Sequence, residues 1–279
     1  MAKRIGYLGP RGTFTEQAAL LYDPNAQLVS FTGIPAVAAA VATGMVEEGV
    51  VAIENSIEGS VTDTLDVLIH ETNLSIKREL VLPINHYLLV KEGTKIEDIE
   101  ILFSHPQALS QCRQFLERCF PQAQRVAALS TAAAVEEMLK SESPAAAIAT
   151  QRAAQLYDVD ILAQNIQDHS SNVTRFIVLA TGDHPPTGQD KTSLCFSFAK
   201  NKPGILYRVL GEFAQRNINL AKVESRPSKE DLGQYIFLVD LEGHRSESII
   251  GEALEKVQEQ TAMLRIFGSY PKYESYKEK

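Results

Sequence analysis

The sequence has 279 residues, of which 27 are Lys or Arg and 35 are Asp or Glu, so that its formal net charge is −8. This acidic balance argues against a nucleic-acid partner, and no apolar run approaches the ~20 residues that span a bilayer. The three cysteines have no CxxC spacing, which argues against a disulfide scaffold and fits a reducing compartment. We therefore expect a cytoplasmic enzyme or a small-molecule sensor, with no nucleic-acid or membrane partner.

The first two thirds of the chain alternate short β-branched runs with helical patterns. This alternation predicts an α/β domain with a parallel sheet and crossover helices. The segment His86–Val90 is interpreted as an extended crossover and not as a strand of the sheet. The predicted strands, in chain order, are Arg4–Leu8, Val50–Ile53, Ile99–Phe103, Arg125–Leu129, Ala145–Ala149 and Thr174–Leu179.

A second domain is predicted after residues 183–191, which are dense in Gly, Pro and polar side chains. Such a composition cannot bury a core and is typical of a linker. Residues 192–272 then show the order strand, helix, strand, strand, helix, strand, which predicts a βαββαβ unit, and residues 273–279 form a polar tail. The element bounds are Ser193–Ala199, Gly204–Arg216, Asn219–Ser225, Gln234–Leu241, Glu247–Glu259 and Met263–Ser269.

Hydroxyl and amide side chains follow several strands of the first domain, where helices are predicted to begin. As helix caps, such residues contribute about 1 kcal/mol each. The carboxyl ends of strands in an open α/β sheet line one crevice, and helix N-termini there present N–H groups to anions. The shared position therefore favours a pocket for a negatively charged small molecule. The residues concerned are Thr13, Asn55, Ser56, Ser104, Gln107 and Thr131.

Thr174 and Arg175 stand at the start of the last strand of the first domain. A guanidinium group can bind a carboxylate through two hydrogen bonds, although an ordinary ion pair within the protein explains Arg175 as well. His105 is either a catalytic group or a helix-start residue. Because no nucleotide-binding loop and no pair of His residues at ligand spacing occurs in the sequence, we expect neither a cofactor nor a metal.

Five segments carry motifs which, in this order and spacing, closely resemble the prephenate dehydratases of phenylalanine biosynthesis. These segments are residues 6–19, 53–61, 104–112, 130–134 and 172–176. In the second domain, three segments resemble the phenylalanine-binding motifs of an ACT domain: Pro203–Leu206, Asn217–Leu220 and Glu224–Pro227. Because the first strand begins at Arg4, with no chorismate mutase segment ahead of it, we expect a monofunctional enzyme.

The resemblance implies a two-lobed catalytic domain over residues 1–182, like a type II periplasmic binding protein. Lobe one would comprise about residues 1–85 and 165–182, and lobe two about residues 86–164, with the substrate in the cleft between them. The βαββαβ unit would be an ACT domain with a ferredoxin-like fold.

The resemblance also implies the reaction, which is loss of water and carbon dioxide from prephenate to give phenylpyruvate without a cofactor. We assign to Thr174 the hydrogen bond or proton that the departing hydroxide needs. Catalytic roles are expected for Thr174, Arg175, Asn55 and Ser56, and substrate binding for Thr13, Ser104, Gln107, Thr131 and Phe176. Two alternatives are an arogenate dehydratase, which uses the amino analogue of prephenate, and a non-catalytic amino-acid sensor.

L-Phenylalanine is the effector that the ACT resemblance implies, bound at the seam between two copies in a homodimer or homotetramer. It is expected to inhibit the enzyme from that site and not from the cleft. The expected contact residues are Asn201, Pro203, Gly204, Ile205, Leu206, Asn219, Leu220, Glu224, Ser225, Arg226 and Pro227.

Overall fold

The computed structural model describes residues 2–229 and 233–273, so the predicted tail after residue 273 lies outside the described residues. Within this part of the chain the strands belong to three sheets. The strands are β1 Arg4–Leu8, β2 Gln27–Phe31, β3 Glu48–Asn55, β4 Gly59–Ser60, β5 Ser75–Pro83, β6 Tyr87–Val90, β7 Ile101–Ser104, β8 Gln124–Ala127, β9 Ala145–Ala149, β10 Asp160–Gln164, β11 Val173–Ala180, β12 Asp190–Ser197, β13 Leu220–Pro227, β14 Tyr235–Glu242 and β15 Met263–Pro271.

Helices connect most of these strands, and a π-helical turn at Val67–Glu71 follows α3. Hydroxyl side chains cap three helices, because Thr13, Ser130 and Thr150 accept backbone N–H groups of α1, α6 and α7. The α-helices of the described ranges are α1 Phe14–Tyr22, α2 Ile34–Ala42, α3 Thr62–Asp66, α4 Pro106–Gln111, α5 Arg113–Cys119, α6 Thr131–Lys140, α7 Gln151–Tyr157, α8 Ile205–Ala214 and α9 Ser248–Gln260.

The first sheet has the strand order β2-β1-β3-β11-β5, and the short β4 pairs antiparallel with β3. Sequence analysis predicts β1, β3 and β11 but misses β2 and β5. β2 lies at an edge of the sheet and is partly exposed, and β5 carries Lys77, Arg78 and Glu79 in its middle. Neither strand therefore shows the continuous apolar run that is typical of a strand buried on both faces.

The second sheet has the strand order β10-β6-β9-β7-β8. β7 runs parallel to β8 and β9, whereas β6 is antiparallel to β9 and β10, so the sheet is mixed and not purely parallel. The interpretation of residues 86–90 as a crossover outside the sheet is wrong, because β6 pairs with a strand on each side. The central β9, Ala145–Ala149, is buried along its whole length, and α6 and α7 pack on its small side chains.

The third sheet has the strand order β13-β14-β12-β15, and every pair in it is antiparallel. Together with α8 and α9 it forms the predicted βαββαβ unit. β12 begins at Asp190, however, so the predicted linker 183–191 ends inside a strand. The buried Asp190 carboxylate accepts hydrogen bonds from Thr187 N, Thr187 Oγ1 and Gly188 N. These polar residues therefore form an ordered turn.

The chain divides into two compact units. The first comprises residues 1–37, 50–62 and 81–176, and the second comprises residues 38–49, 63–80 and the chain from residue 177 onward. All of the expected catalytic and substrate-binding residues lie in the first unit, and all of the expected effector residues lie in the second.

The second unit joins a segment of the N-terminal half to the C-terminal sheet. Lys191 Nζ lies 2.9 Å from the Glu79 carboxylate. The backbone of Gly268 passes so close to Ile76 that a Cβ atom at residue 268 would clash with the Ile76 carbonyl oxygen. Residues 63–80 and the C-terminal sheet are therefore parts of one packed body.

Cys112, Cys119 and Cys195 are free cysteines. Burial raises the pKa of the Cys112 thiol and raises the pKa of Cys195 to about 12, so both behave as small apolar side chains. Among the described residues, no helix combines the length and the apolar character needed to cross a membrane.

Candidate active site

The structure brings together Asn55 and Thr174, two of the four residues for which catalytic roles are expected. Asn55 is the last residue of β3 and Thr174 is the second residue of β11, the neighbouring strand of the first sheet. Asn55 Nδ2 donates to Thr174 Oγ1 over 2.9 Å. Both side chains are nearly buried, Asn55 at 7% and Thr174 at 9% exposure.

The loop after β3 fixes the orientation of the Asn55 amide. Its Oδ1 atom accepts from the backbone N–H groups of Ile57 (2.9 Å) and Glu58 (3.0 Å). The amide nitrogen must therefore face Thr174, and an amide nitrogen can only donate. The Thr174 oxygen consequently acts as an acceptor in this contact, which leaves its hydroxyl hydrogen available for another partner.

Arg175 pairs with Glu54, the residue before Asn55. The distance from Arg175 Nη2 to Glu54 Oε2 is 3.1 Å, and the Arg175 side chain is 12% exposed. Of the two roles open for Arg175, the structure supplies contacts for the brace between β3 and β11.

Ser56 binds the backbone of the chain just before and at the start of β11. Its backbone N–H donates to the Val173 carbonyl, and its Oγ accepts from the Val173 N–H at 3.0 Å and lies 3.3 Å from the Ser171 carbonyl. Ser56 thus holds the end of β3 against the start of β11, where Asn55 meets Thr174.

Two residues expected to bind substrate have structural roles. Ser104 is fully buried, and its hydroxyl donates to the Ile148 carbonyl across β7 and β9 over 2.6 Å. Because that hydrogen is already engaged, it cannot donate to a ligand at the same time. Phe176 is 1% exposed and is one of the largest fully buried side chains of the described residues. Both side chains are thus engaged with the protein itself, and substrate binding by Ser104 and Phe176 stays a prediction.

The other three expected substrate-binding residues lie at helix N-termini. Thr13 caps α1 and lies 3.0 Å from the Pro10 carbonyl. Thr131 is the first residue of α6, and Gln107 is the exposed second residue of α4. His105 caps α4 by accepting the Gln107 backbone N–H at Nδ1 over 3.3 Å, which agrees with its interpretation as a helix-start residue.

The loops that follow β1 and β9 contact each other, although the two strands belong to different sheets. Thr150 Oγ1 donates to the Gly12 carbonyl over 2.7 Å. Gly12 has a φ of +86°, and a Cβ atom there would lie 3.3 Å from Ala132 and Ala153, so a glycine fits this close approach. The carboxyl ends of strands from both sheets therefore meet within the first unit.

A buried carboxylate lies beside this contact. Glu16 is 3% exposed, accepts from the Gly12 N–H and lies 3.7 Å from both Arg11 and Arg152. Sequence analysis does not single out Arg11 or Arg152 as residues of the site. The two arginines come together on Glu16 only in the folded chain.

Three further polar residues extend the hydrogen bonds of Asn55 into the protein. Asn55 Nδ2 donates to Asn172 Oδ1 at 2.8 Å, Asn172 Nδ2 donates to Gln111 Oε1 at 3.0 Å, and Gln111 Oε1 lies 3.0 Å from His86 Nε2. Asn172 and Gln111 lie inside the motifs at 172–176 and 104–112, which is the signal that could have identified them. His86 carries no such signal, because nothing in its neighbourhood along the sequence indicates a partner 25 residues away.

We expect the replacement of His86 by glutamine to make the free energy of unfolding less dependent on pH under acidic conditions. Burial lowers the pKa of His86 below its ordinary value of 6.5, so the unfolded chain binds a proton first as the pH falls. The wild-type free energy of unfolding then decreases by at most about 1.4 kcal/mol per pH unit for this group, until the folded-state pKa is passed. Urea unfolding of both proteins between about pH 8 and pH 5 measures the difference, and equal pH dependence would contradict it.

The expected effector residues fall into two groups in the second unit. Asn201, Pro203, Gly204, Ile205 and Leu206 line a cavity of about 570 Å³ at the N-terminus of α8. Asn219 precedes β13, which contains the remaining five. Within β13, Glu224 pairs with Lys222 at 3.0 Å, and Arg226 pairs with Asp66 at 2.5 Å.

Among the described residues, no group of three His, Cys, Asp or Glu side chains is placed to hold a metal ion. The polar groups of the site are instead amides, hydroxyls, backbone N–H groups and ion-paired arginines. Such a set can bind and orient an anion and can donate hydrogen bonds to a leaving group.

Comparison with known proteins assigns one family model to each part of the chain. The family model for prephenate dehydratase matches residues 5–184, and the model for the ACT domain matches residues 193–259. A bifunctional chorismate mutase/prephenate dehydratase of Aquifex aeolicus is 45% identical over 270 residues, which is 96% of this chain and 74% of the relative. A prephenate dehydratase of Lactococcus lactis is 39% identical over 276 residues, which is 97% of this chain and 98% of the relative.

Among solved structures, the prephenate dehydratase of Arthrobacter aurescens in complex with L-Phe matches with a TM-score of 0.89 at 34% identity. The match covers 96% of this chain and 90% of that one. It confirms the predicted fold class, an α/β chain with an ACT domain at its C-terminal end. The chain belongs to the prephenate dehydratase family.

Proposed function

We propose that this chain converts prephenate to phenylpyruvate and that the Thr174 hydroxyl donates to the hydroxide that leaves the ring. The observation that carries this assignment is the direction of the bond from Asn55 to Thr174. Because Asn55 supplies the hydrogen in that bond, the Thr174 hydroxyl can donate its own hydrogen into the site.

The reaction needs a donor more than it needs a strong acid. The bond between the ring and its carboxylate breaks, its electron pair moves into the ring, and the C–O bond breaks as hydroxide departs. Aromatisation of the ring supplies the driving force. A threonine hydroxyl is a weak acid, so we assign to it a hydrogen bond that strengthens as negative charge develops on the departing oxygen. The departed hydroxide takes up a proton from solvent and becomes water.

The carboxylates of the substrate need positive groups close by. The N-termini of α1 and α6 offer backbone N–H groups, and Thr13 and Thr131 stand at these two ends. Arg175 contributes its charge while its ion pair with Glu54 holds β3 and β11 in place. These groups would bind the dianion and align it for elimination.

The test is to incubate the purified chain with prephenate and, separately, with arogenate. We expect phenylpyruvate and carbon dioxide in equal amounts from prephenate, and a lower kcat/KM for arogenate. A higher kcat/KM with arogenate would make the chain an arogenate dehydratase. No turnover of either substrate, together with L-phenylalanine binding, would favour the sensor.

L-Phenylalanine is the proposed effector, and the cavity at the start of α8 is its proposed site. β13 lies at an edge of its sheet, and its side chains alternate between half-buried and exposed. An edge strand of this kind can pair with a second copy, which would complete the effector site as a homodimer or a homotetramer.

A further inference from the structure

A continuous chain of hydrogen-bonded side chains connects Thr174 to His86. It runs through Asn55, Asn172 and Gln111, with distances of 2.8–3.0 Å between the bonded atoms. None of the five side chains is more than 9% exposed. His86 is thus connected to the proposed donor although it has no part in the chemistry assigned to Thr174.

Backbone groups fix the orientation of the Asn55 amide, and the directions of the other bonds follow from it. Two backbone N–H groups bind Asn55 Oδ1, so Asn55 Nδ2 donates, and Asn172 must present its oxygen to it. Asn172 therefore presents its Nδ2 group to Gln111, which must accept through Oε1. If the oxygen and nitrogen of any one of these three side-chain amides were exchanged, two donors or two acceptors would face each other.

The last bond fixes the protonation state of the imidazole. Because Gln111 Oε1 is an acceptor, His86 Nε2 must carry a hydrogen and donate it over 3.0 Å. His86 Nδ1 is buried without a hydrogen-bond partner. Because Nε2 already carries a hydrogen, a second one on Nδ1 would charge the buried ring and leave that N–H group without an acceptor, so Nδ1 keeps its lone pair and the ring is neutral.

We propose that His86 is a positioning residue for the dehydration, because its Nε2–H group holds Gln111 and, through Asn172 and Asn55, keeps the Thr174 hydroxyl directed at the leaving group. The inference rests on the donor role proposed for Thr174. His86 and Asn172 together occupy both acceptor positions of Gln111 Oε1. Without His86, Gln111 keeps the bond from Asn172 and a longer bond of 3.3 Å to Glu58.

The surroundings of His86 hold the ring in place. The Phe14 ring meets it edge-on, with 5.6 Å between the ring centroids. The His86 backbone N–H donates to the Gln167 side chain over 2.9 Å. The carboxylate that enters this network is that of Glu58, and it binds Gln111 and not the imidazole. The hydrogen bond to Gln111 is therefore the polar contact that couples the ring to the site.

The test compares three variants of the full chain. His86→Leu removes the donor, whereas His86→Gln keeps an N–H group near the position of Nε2. Leu88→Val is the matched control, because Leu88 is a fully buried residue on β6, the strand that follows His86. A displacement of about 1 Å in a catalytic group can cost about a hundredfold in rate. We expect His86→Leu to lower kcat about tenfold or more with KM nearly unchanged, His86→Gln to recover most of kcat, and Leu88→Val to keep it.

A wild-type kcat in His86→Leu, or equal losses in His86→Leu and His86→Gln, would overturn the proposal. NMR of the wild-type protein with ¹⁵N-labelled histidine is a second readout that needs no turnover. We expect a neutral His86 ring with its hydrogen on Nε2, and a hydrogen on Nδ1 would also overturn the proposal. Absence of turnover by the wild-type chain would instead contradict the proposed function, which the NMR result does not depend on.

Discussion

Replacement of Thr174 by alanine is expected to lower kcat about a hundredfold or more, since the loss of one hydrogen-bond donor to a developing negative charge costs about 3 kcal/mol. The fold should survive the change. Asn55 Nδ2 loses one acceptor but keeps Asn172 Oδ1 at 2.8 Å and the Val173 carbonyl at 3.2 Å. We therefore expect KM and the thermal midpoint to stay close to those of the wild type. Steady-state kinetics with prephenate and a thermal melt measure the two effects.

Two further substitutions at this position separate the hydroxyl from the shape of the side chain. Thr174→Ser keeps the hydroxyl and should retain most of kcat, whereas Thr174→Val keeps the shape and should behave like alanine. The comparison is informative because Thr174 is only 9% exposed, so a loss of packing alone could disturb its neighbours. Turnover by Thr174→Val close to the wild-type rate would show that Thr174 is not the donor.

Sequence analysis assigns Asn55 and Thr174 to the same site, but it does not predict that their side chains contact each other. Asn55 follows a buried strand, and Thr174 starts another strand with a polar residue. A sheet places the end of one strand beside the start of its neighbour when the two run in opposite directions, or beside the corresponding end when they are parallel. The contact between these two residues could not be predicted, since periodicity does not give the strand order of the first sheet, and their catalytic roles rested on the family resemblance.

The rest of the hydrogen-bonded chain could not be predicted either. His86 and Gln111 are 25 residues apart, and Gln111 and Asn172 are 61 residues apart. Periodicity predicts which face of a strand or helix is buried, but it does not say which buried polar groups meet. Burial makes such pairing obligatory, so a polar residue in a buried segment indicates that a partner exists without identifying it.

The errors in the predicted fold have a similar cause. β6 is short, and its neighbours β9 and β10 follow it by more than fifty residues in the chain. Its sequence therefore resembles any extended apolar segment, and only pairing on both sides makes it a strand. The hydrogen bond that Ser104 makes could not be predicted either. The residue stands at a strand end, as expected, but its hydroxyl is directed at the carbonyl of the adjacent strand.

Replacement of Gly204 by aspartate is expected to weaken inhibition by L-phenylalanine about tenfold or more, because a carboxylate at the start of α8 repels the carboxylate of the effector and competes for the same backbone N–H groups. Gly204 is the N-cap of α8, with a φ of +79°, and it lines the proposed effector cavity. A Cβ atom at this position meets nothing within 4 Å. The substitution therefore introduces no steric clash at the Cβ atom.

Gly204→Asn is the matched control, since asparagine has nearly the size of aspartate, carries no charge, and tolerates a positive φ comparably well. Both variants should keep the uninhibited kcat, because Gly204 lies in the second unit and the expected catalytic residues lie in the first. Inhibition curves with L-phenylalanine at several prephenate concentrations measure the effect. Because coupling between two binding sites is reciprocal, prephenate should also weaken phenylalanine binding in wild type and in Gly204→Asn. If both variants were inhibited as strongly as the wild type, or if inhibition were purely competitive and unaffected by the charge at residue 204, the effector would bind elsewhere.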